Sequence, residues 1–171
     1  MFFDPKQLKI VPASRKHAYA ITVLTRRFFP YVNFSFDVVL ERLSSNSIKY
    51  LVAEYQGHSI GFADVEFMTK EEASENMRTI EGSKIAGARS NKTAKILGLA
   101  ILPEFQGRKI GKKLFTRLLG LAKKNCSEAF ILVSEDNMNA RHLYDEFKFV
   151  NIGVLDRQLG GKKILLLKRA F

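Results

Sequence analysis

The chain has 171 residues, 46% hydrophobic and 26% charged, so it can bury a core of its own without disulfide or metal staples, and global disorder is excluded as a first expectation. Its 28 Lys+Arg against 17 Asp+Glu give a net charge of +11, a field that attracts phosphates, nucleic acid or acidic partners. No run of about 18 apolar residues occurs, and the start MFFDPKQLKIVP lacks the basic segment and apolar centre of a signal peptide, so the expectation is one soluble, cytoplasmic domain over 1–171 with no membrane contact.

LKIVPAS (Leu8 to Ser14) reads as a first strand that stops at Pro12, and Ser14 is placed to cap a helix from about Arg15 to Phe29, which Pro30 ends. Phe36, Val39, Leu40 and Leu43 recur at helical spacing. YLVAE (Tyr50 to Glu54) and SIGFADVEF (Ser59 to Phe67), joined at Gln56-Gly57, predict a hairpin. Thr69 to Thr93 then forms an insertion between the third and fourth strands, far longer than a hairpin loop of about 2 to 5 residues. Ala73, Met77 and Ile80 suggest one face of a short helix, and the Gly, Ser and Lys that follow suggest a mobile loop, with a lid over a cleft as the functional alternative to a surface spacer.

KILGLAIL (Lys95 to Leu102) has the continuous apolar run of a strand buried on both faces. The stretch PEFQGRKIGKKLF (Pro103 to Phe115) leads from it into a helix over Gly111 to Asn125. A strand end followed by a helix N-terminus exposes unpaired amides and the positive end of the helix dipole, which suits an anion. Lys95 to Asn125 carries eight cations and one acid, so this turn lies in a basic stretch of the chain. AFILV (Ala129 to Val133), a helix from Asn137 to Phe147 and two final strands around Gly160-Gly161 complete the order.

The glycines of GRKIGKKL are four apart and no Ser or Thr follows the lysines, so the spacing is not that of a P-loop; GxGxxG is absent as well. What the segment resembles is the GNAT superfamily of acetyl-CoA dependent N-acetyltransferases. Gln106, Gly107, Arg108, Lys109, Ile110 and Gly111 occupy the register of that family's Gln/Arg-x-x-Gly-x-Gly/Ala loop, LAILPEFQG is similar to its strand and proline lead-in, and NMNARHLYDEFKFV is similar to its Asn and Leu-Tyr segment. The resemblance covers nearly the whole chain. It implies a central mixed, mostly antiparallel sheet flanked by helices, with acetyl-CoA as cosubstrate and no metal.

Amides from Gly107 to Lys112 can face a pyrophosphate, with Gly107 and Gly111 keeping side chains out of its path. The resemblance places the pantetheine at Leu99, Ala100 and Ile101, assigns Asn137 to the cofactor, and gives Tyr144 the proton for the departing thiolate. Asn137 and Tyr144 are seven residues apart and so share a helical face to within about 20°. The chain departs from the family pattern at three places: Lys109 replaces the middle glycine, Leu132 stands where protein N-terminal and ribosomal acetylating members carry a glutamate base, and Lys148-Phe149 replaces Gly-Phe.

A base is therefore sought elsewhere. Asp64 and Glu66 alternate on the third strand and share one sheet face, read here as an exposed one. His17, His58 and His142 have no metal spacing and are assigned surface roles, and Cys126, the single cysteine, is assigned to packing. The acceptor is expected to be an amine on a small molecule or a protein, monomer and homodimer both remaining open. Nucleic acid is not expected as the main ligand, because Lys95 to Asn125 interleaves only Phe105 and Phe115 with its cations. A non-catalytic acyl-CoA or nucleic-acid binding module on the same fold is the alternative.

Overall fold

The computed structural model describes residues 3–85 and 92–171. In chain order its elements are β1 (Leu8–Pro12), α1 (Ala18–Phe28), α2 (Phe36–Ser44), β2 (Ile48–Tyr55), β3 (His58–Thr69), α3 (Lys70–Asn76), β4 (Lys92–Ile101), α4 (Ile110–Asn125), β5 (Glu128–Ser134), α5 (Met138–Glu146), β6 (Val150–Val154) and β7 (Ile164–Ala170). The strands make one seven-stranded sheet in the order β1-β2-β3-β4-β5-β7-β6. β4 and β5 are parallel, while β1–β2, β5–β7 and β6–β7 are antiparallel, which is the mixed α/β architecture expected, with the insertion between β3 and β4. No helix among the described residues is long and apolar enough to cross a membrane.

The chain divides into two compact units, Met1–Val65 with Gly98–Leu119 and Glu66–Leu97 with Gly120–Phe171. In the first, Ala18, Ile21 and Leu24 of α1 and Val39 of α2 pack with Tyr50 and Val52 of β2, Phe62 of β3 and Ala100 of β4. The spacing of the α1 residues is what an amphipathic helix needs to bury one stripe, and each large apolar side chain so removed from water contributes about 1.5–3 kcal/mol. Thr22 can join that buried face because its hydroxyl donates to the Ala18 carbonyl, 2.8 Å away. Ser35 caps α2, accepting from the Val38 amide at 3.2 Å. Between β2 and β3, Gln56 and Gly57 both have positive φ, 50° and 81°, as a two-residue hairpin turn requires. At Gly61 a β-carbon would come within 2.6 Å of the Ala100 carbonyl oxygen, so this glycine is what lets β3 approach β4.

The helix begins after Ser14 as expected, its first turn, residues 15–17, being 3-10, but His17 within it is buried, not on the surface as expected. Its Nδ1 accepts from the Ser14 amide at 2.8 Å, which leaves Nε2 to donate to Glu54 Oε1 at 2.9 Å. A ring with both nitrogens bonded can be buried at little cost.

In the second unit Met68, Ala73, Met77, Ile85 and Leu155 pack with Phe130, Ile164 and Leu166. The first half of the insertion is therefore part of a core. Thr69 and Glu72 start α3 with a capping box, each side chain accepting from the other's amide at 3.2 and 2.8 Å. The helix ends earlier than the periodicity suggested, and Ile80 is exposed and does not continue the Ala73–Met77 face. The backbone beyond it is engaged differently: Ile80 donates to the Val154 carbonyl at 2.9 Å, and the Arg78 carbonyl accepts from Asp156 at 3.0 Å. Thr79 bridges to Leu155 just past the end of β6, and the chain then closes a tight turn between Thr79 and Gly82. The rest of the expected loop, 86–91, is outside the described residues.

Met77 is fully buried in this cluster. Met77→Ala should lower unfolding free energy by about 2–5 kcal/mol in a denaturant titration, the range for a large-to-small core change; a spacer lying loosely on the surface would give a change below about 0.5 kcal/mol.

Candidate functional site

In the first unit β4 delivers the chain into α4 through a short, heavily bonded turn. Residues 103–105 make one 3-10 turn, closed by the Gln106 amide donating to Pro103. The Gln106 side chain then reaches back, its Nε2 donating to the Ile101 carbonyl at 2.9 Å, and so fixes the turn to the end of the strand. Gly107 and Lys109 both lie in the left-handed region, at φ 72° and 60°. The first helical bond runs from the Lys113 amide to the Lys109 carbonyl at 3.1 Å, so the amides of Ile110 and Gly111 ahead of it have no helical acceptor. Nothing lies within 4 Å of a β-carbon placed on Gly107. At Gly111 a β-carbon would meet Leu99 Cδ2 and Ile101 Cγ1 at 3.8 and 3.9 Å, an ordinary contact, so this face of α4 lies on β4 with room for a small side chain. Buried Ile110 anchors the helix start.

β4 stops pairing with β5 part-way along its length. Its register with β5 covers Ala94↔Ala129 to Ile96↔Ile131 only, although β4 continues to Ile101. Leu99, Ala100 and Ile101, the positions expected to meet pantetheine, belong to this continuation.

Next to it, Asp64 is buried instead of lying on an exposed face, and this corrects the expectation for the pair: Glu66, two residues on, is half-buried. Asp64 Oδ2 accepts from Arg42 Nη2 at 3.1 Å. Arg42 Nε donates to the Tyr50 hydroxyl at 2.6 Å, and the Tyr50 hydroxyl and Gly98 amide also bond to Asp64. Arg42 lies over the Phe34 ring, 4.6 Å from its centroid. Burial pushes the Asp64 carboxyl up to about 7, against the pull of the Arg42 guanidinium and the three hydrogen bonds. Burial and the Asp64 charge together raise the Tyr50 phenol well above its usual value. The arrangement holds a carboxyl that can exchange a proton near neutral pH. Sequence reasoning missed Arg42 and Tyr50. The available signal was Asp64 itself, an acid inside the apolar run IGFADVEF, which demands a buried cation.

In the second unit Asn137 caps α5, its Oδ1 accepting from the Ala140 amide at 3.1 Å. That use leaves the Nδ2 group able to donate. Tyr144 is buried with its ring 6.2 Å from that of Phe149, whose amide donates to the Tyr144 carbonyl at 3.0 Å. Cys126 is buried as expected, and burial pushes its thiol up to about 11, which removes it as a nucleophile at neutral pH. Among the described residues no group of three or more His, Cys, Asp or Glu could hold a metal ion.

A family model described as acetyltransferase (GNAT) family matches residues 18–149. The chain belongs to the GNAT acetyltransferase family. No curated protein matches it. Among solved structures, the GNAT chain is similar in fold to Arabidopsis thaliana NAA60 in complex with acetyl-CoA, at 18% identity and TM-score 0.76 over 96% of this chain and 98% of that one. It is also similar to the ribosomal-protein-S18-alanine N-acetyltransferase from Escherichia coli, at 12% identity and TM-score 0.72 over 95% and 93%. A third, the spermidine/spermine N-acetyltransferase SpeG from Vibrio cholerae in mutant form, gives 22% identity and TM-score 0.68 over 96% and 94%.

Two departures of this GNAT chain from the family pattern now have a common physical description. Lys109 has φ 60° and Lys148, just beyond the end of α5, has φ 63°. Both lysines hold the left-handed conformation that glycine adopts without strain. The bond from Phe149 back to Tyr144 closes α5 across Lys148.

Lys109→Gly and Lys148→Gly should therefore each raise unfolding free energy by about 1 kcal/mol in denaturant titration, where glycine at an exposed site with negative φ would lower it. For Asp64, the folded protein keeps a proton between its unfolded value of 3.8 and about 7 that the unfolded chain has lost, so this group makes stability fall as pH rises through that window. In Asp64→Asn the fall should flatten, measured as melting temperature against pH; an unchanged slope would assign the pH dependence to other groups.

Proposed function

We propose that the chain is a single N-acetyltransferase domain that transfers the acetyl group of acetyl-CoA directly to a primary amine. The observation that carries this reading is the backbone of the loop: two left-handed residues, Gly107 and Lys109, turn the chain so that α4 opens with amides lacking helical acceptors, directly after β4. Gln106, Gly107, Arg108, Lys109, Ile110, Gly111 and Lys112 would hold the pyrophosphate, through amides and the positive end of α4, and the cationic side chains would add attraction. Leu99, Ala100 and Ile101 would offer strand hydrogen bonds to the pantetheine amides. Asn137 would donate to the cofactor through Nδ2. Membership of the GNAT family supports this assignment, as does likeness in fold to a chain solved with acetyl-CoA.

In the reaction the amine nitrogen attacks the thioester carbonyl, a C–N bond forms, the C–S bond breaks, and the CoA thiolate leaves. The chain's part is to hold the reactants and manage two protons. Tyr144 would give its phenolic proton to the sulfur, a phenol ordinarily being protonated at neutral pH. Asp64 or Glu66 would accept the proton that the attacking nitrogen sheds. Asp64 is favoured because a base is most effective with its pKa near the working pH, and burial has raised this carboxyl to about 7. Arg42 and Tyr50 would act as positioning residues for it. Similar folds include chains named for spermidine and for a ribosomal protein, so both small-molecule and protein amines belong in the panel of acceptors.

The test is CoA release from acetyl-CoA over that panel, with three variants. Tyr144→Phe should lower kcat about 10² to 10⁴-fold with acetyl-CoA affinity unchanged; parental turnover would remove Tyr144 from the mechanism. Asp64→Asn should abolish the limb of the pH-rate profile near pH 7. Gly107→Val, which forces a β-branched residue toward φ 72°, should weaken acetyl-CoA binding at least about tenfold in calorimetry. Equal affinity would place the pyrophosphate elsewhere.

A further inference from the structure

A cavity of about 480 Å³ runs between β1 and the outer face of α4. Leu8 and Ile10 form its apolar floor, and Lys109, Lys112, Lys113 and Arg117 line it. No acidic side chain among the described residues does. Lys113 and Arg117 are four residues apart on α4, about 6 Å along a helix rising 1.5 Å per residue, and Lys109 precedes the helix at φ 60°. The Lys113–Arg117 spacing is on the scale of successive phosphates of an extended single strand. Arg117 is also fixed in place, its Nη1 donating to the Ile10 carbonyl at 3.2 Å.

A second feature adjoins the row. Phe3 stacks on Tyr55 with centroids 4.9 Å apart, Phe105 lies 5.5 Å from Tyr55, and the Arg108 guanidinium lies 4.9 Å over the Phe3 ring. Tyr55 is the cross-strand partner of Leu8 in the β1–β2 register, and Arg108 precedes Lys109 in the chain. Phe3, Phe105 and Arg108 are each half-buried. A guanidinium on an aromatic face is a surface on which a base can stack. An acidic peptide would use the cations but not this platform.

We propose that single-stranded nucleic acid binds along this groove, its backbone following Lys109, Lys112, Lys113 and Arg117 and a base stacking at Arg108 and Phe3. The binding is independent of sequence, because nothing in the groove is arranged to read base edges. It is a second binding function whose groove adjoins the proposed cofactor loop and shares Arg108, Lys109 and Lys112 with it, and a sequence pI of 9.8 with cations set along one helix is the electrostatic footprint of such a surface. Part of the net charge is thereby put to use at one place.

The experiment is fluorescence anisotropy of labelled 12-mers of oligo(U) and oligo(dT) with the full chain, titrated over a range of salt concentrations. Four neutralised phosphates predict a log–log slope of about −2.8 for single strands. Lys113→Gln should reduce it to about −2.1, and Thr116→Glu, which adds a carboxylate to the groove without touching the Arg117 bond, should weaken binding at every salt concentration. Both variants should keep the parental melting temperature and acetyl-CoA affinity, and Phe3→Ala should weaken binding with the slope unchanged. Whichever of the two oligomers binds more tightly identifies the sugar preferred. A slope unaffected by Lys113→Gln, or an affinity unaffected by Thr116→Glu, overturns the proposal. So does a poly-glutamate peptide that binds as tightly as either oligomer at equal salt, which would make the groove an acidic-peptide site.

Discussion

A chain that leaves a buried strand and enters a helix within eight residues must turn sharply while keeping its polar backbone groups bonded or wet. Between Ile101 and Ile110 this is done by one 3-10 turn, one side-chain bond from Gln106 to the strand end, and two residues with positive φ. The remaining amides point away from the helix they introduce, since α4 begins its own hydrogen bonding only at Lys113. The anion site proposed for the loop rests on this backbone requirement and would persist with different side chains. The lysines add a longer-ranged attraction that salt would screen.

The same economy governs Asp64. A carboxyl inside an apolar strand is costly unless several elements answer it. Here α2 supplies Arg42, β2 supplies Tyr50 and β4 supplies the Gly98 amide. A β-carbon at Gly98 would lie 3.0 Å from Asp64 Oδ1 and 3.3 Å from the Phe29 ring, so the strand that carries the candidate pantetheine positions also has to leave room for the carboxylate. Burial and pairing pull its proton affinity in opposite directions, and burial prevails.

The fold was legible in the sequence wherever periodicity and punctuation agreed. Pro30 after α1, the Gln56-Gly57 turn and the apolar run of β4 each place an element to within a few residues. The tight turn from β4 into α4, proposed as the cofactor loop, was legible through its glycine spacing and its neighbours. What the sequence hid was tertiary. Nothing local marks His17 as buried, because its partner Glu54 is 37 positions away. Arg42 reads as an ordinary helix-end cation until Asp64 is seen beneath it. Ile80 continued a helical pattern in sequence, yet its backbone bonds to β6, and pairing with a distant strand outweighs local periodicity. Lys109 and Lys148 read as plain substitutions, because φ cannot be seen in a residue name.

The open side of β6 has a consequence for how this protein behaves at high concentration. An outer strand presents unpaired amides and carbonyls that a second molecule can extend into a continuous sheet, and proteins avoid aggregation by blunting such margins. β6 carries a bulge between Asn151 and Gly153, and its far end is already bonded, by Ile80 to Val154 and by Asp156 to Arg78. At Gly153 a β-carbon would approach within 2.8 Å of the Thr79 side chain, so glycine there lets the insertion lie close against the strand. The segment that reads from the sequence as a surface spacer or a lid thus works as a cap on a sheet margin, and shortening it would open that margin to pairing with a second molecule.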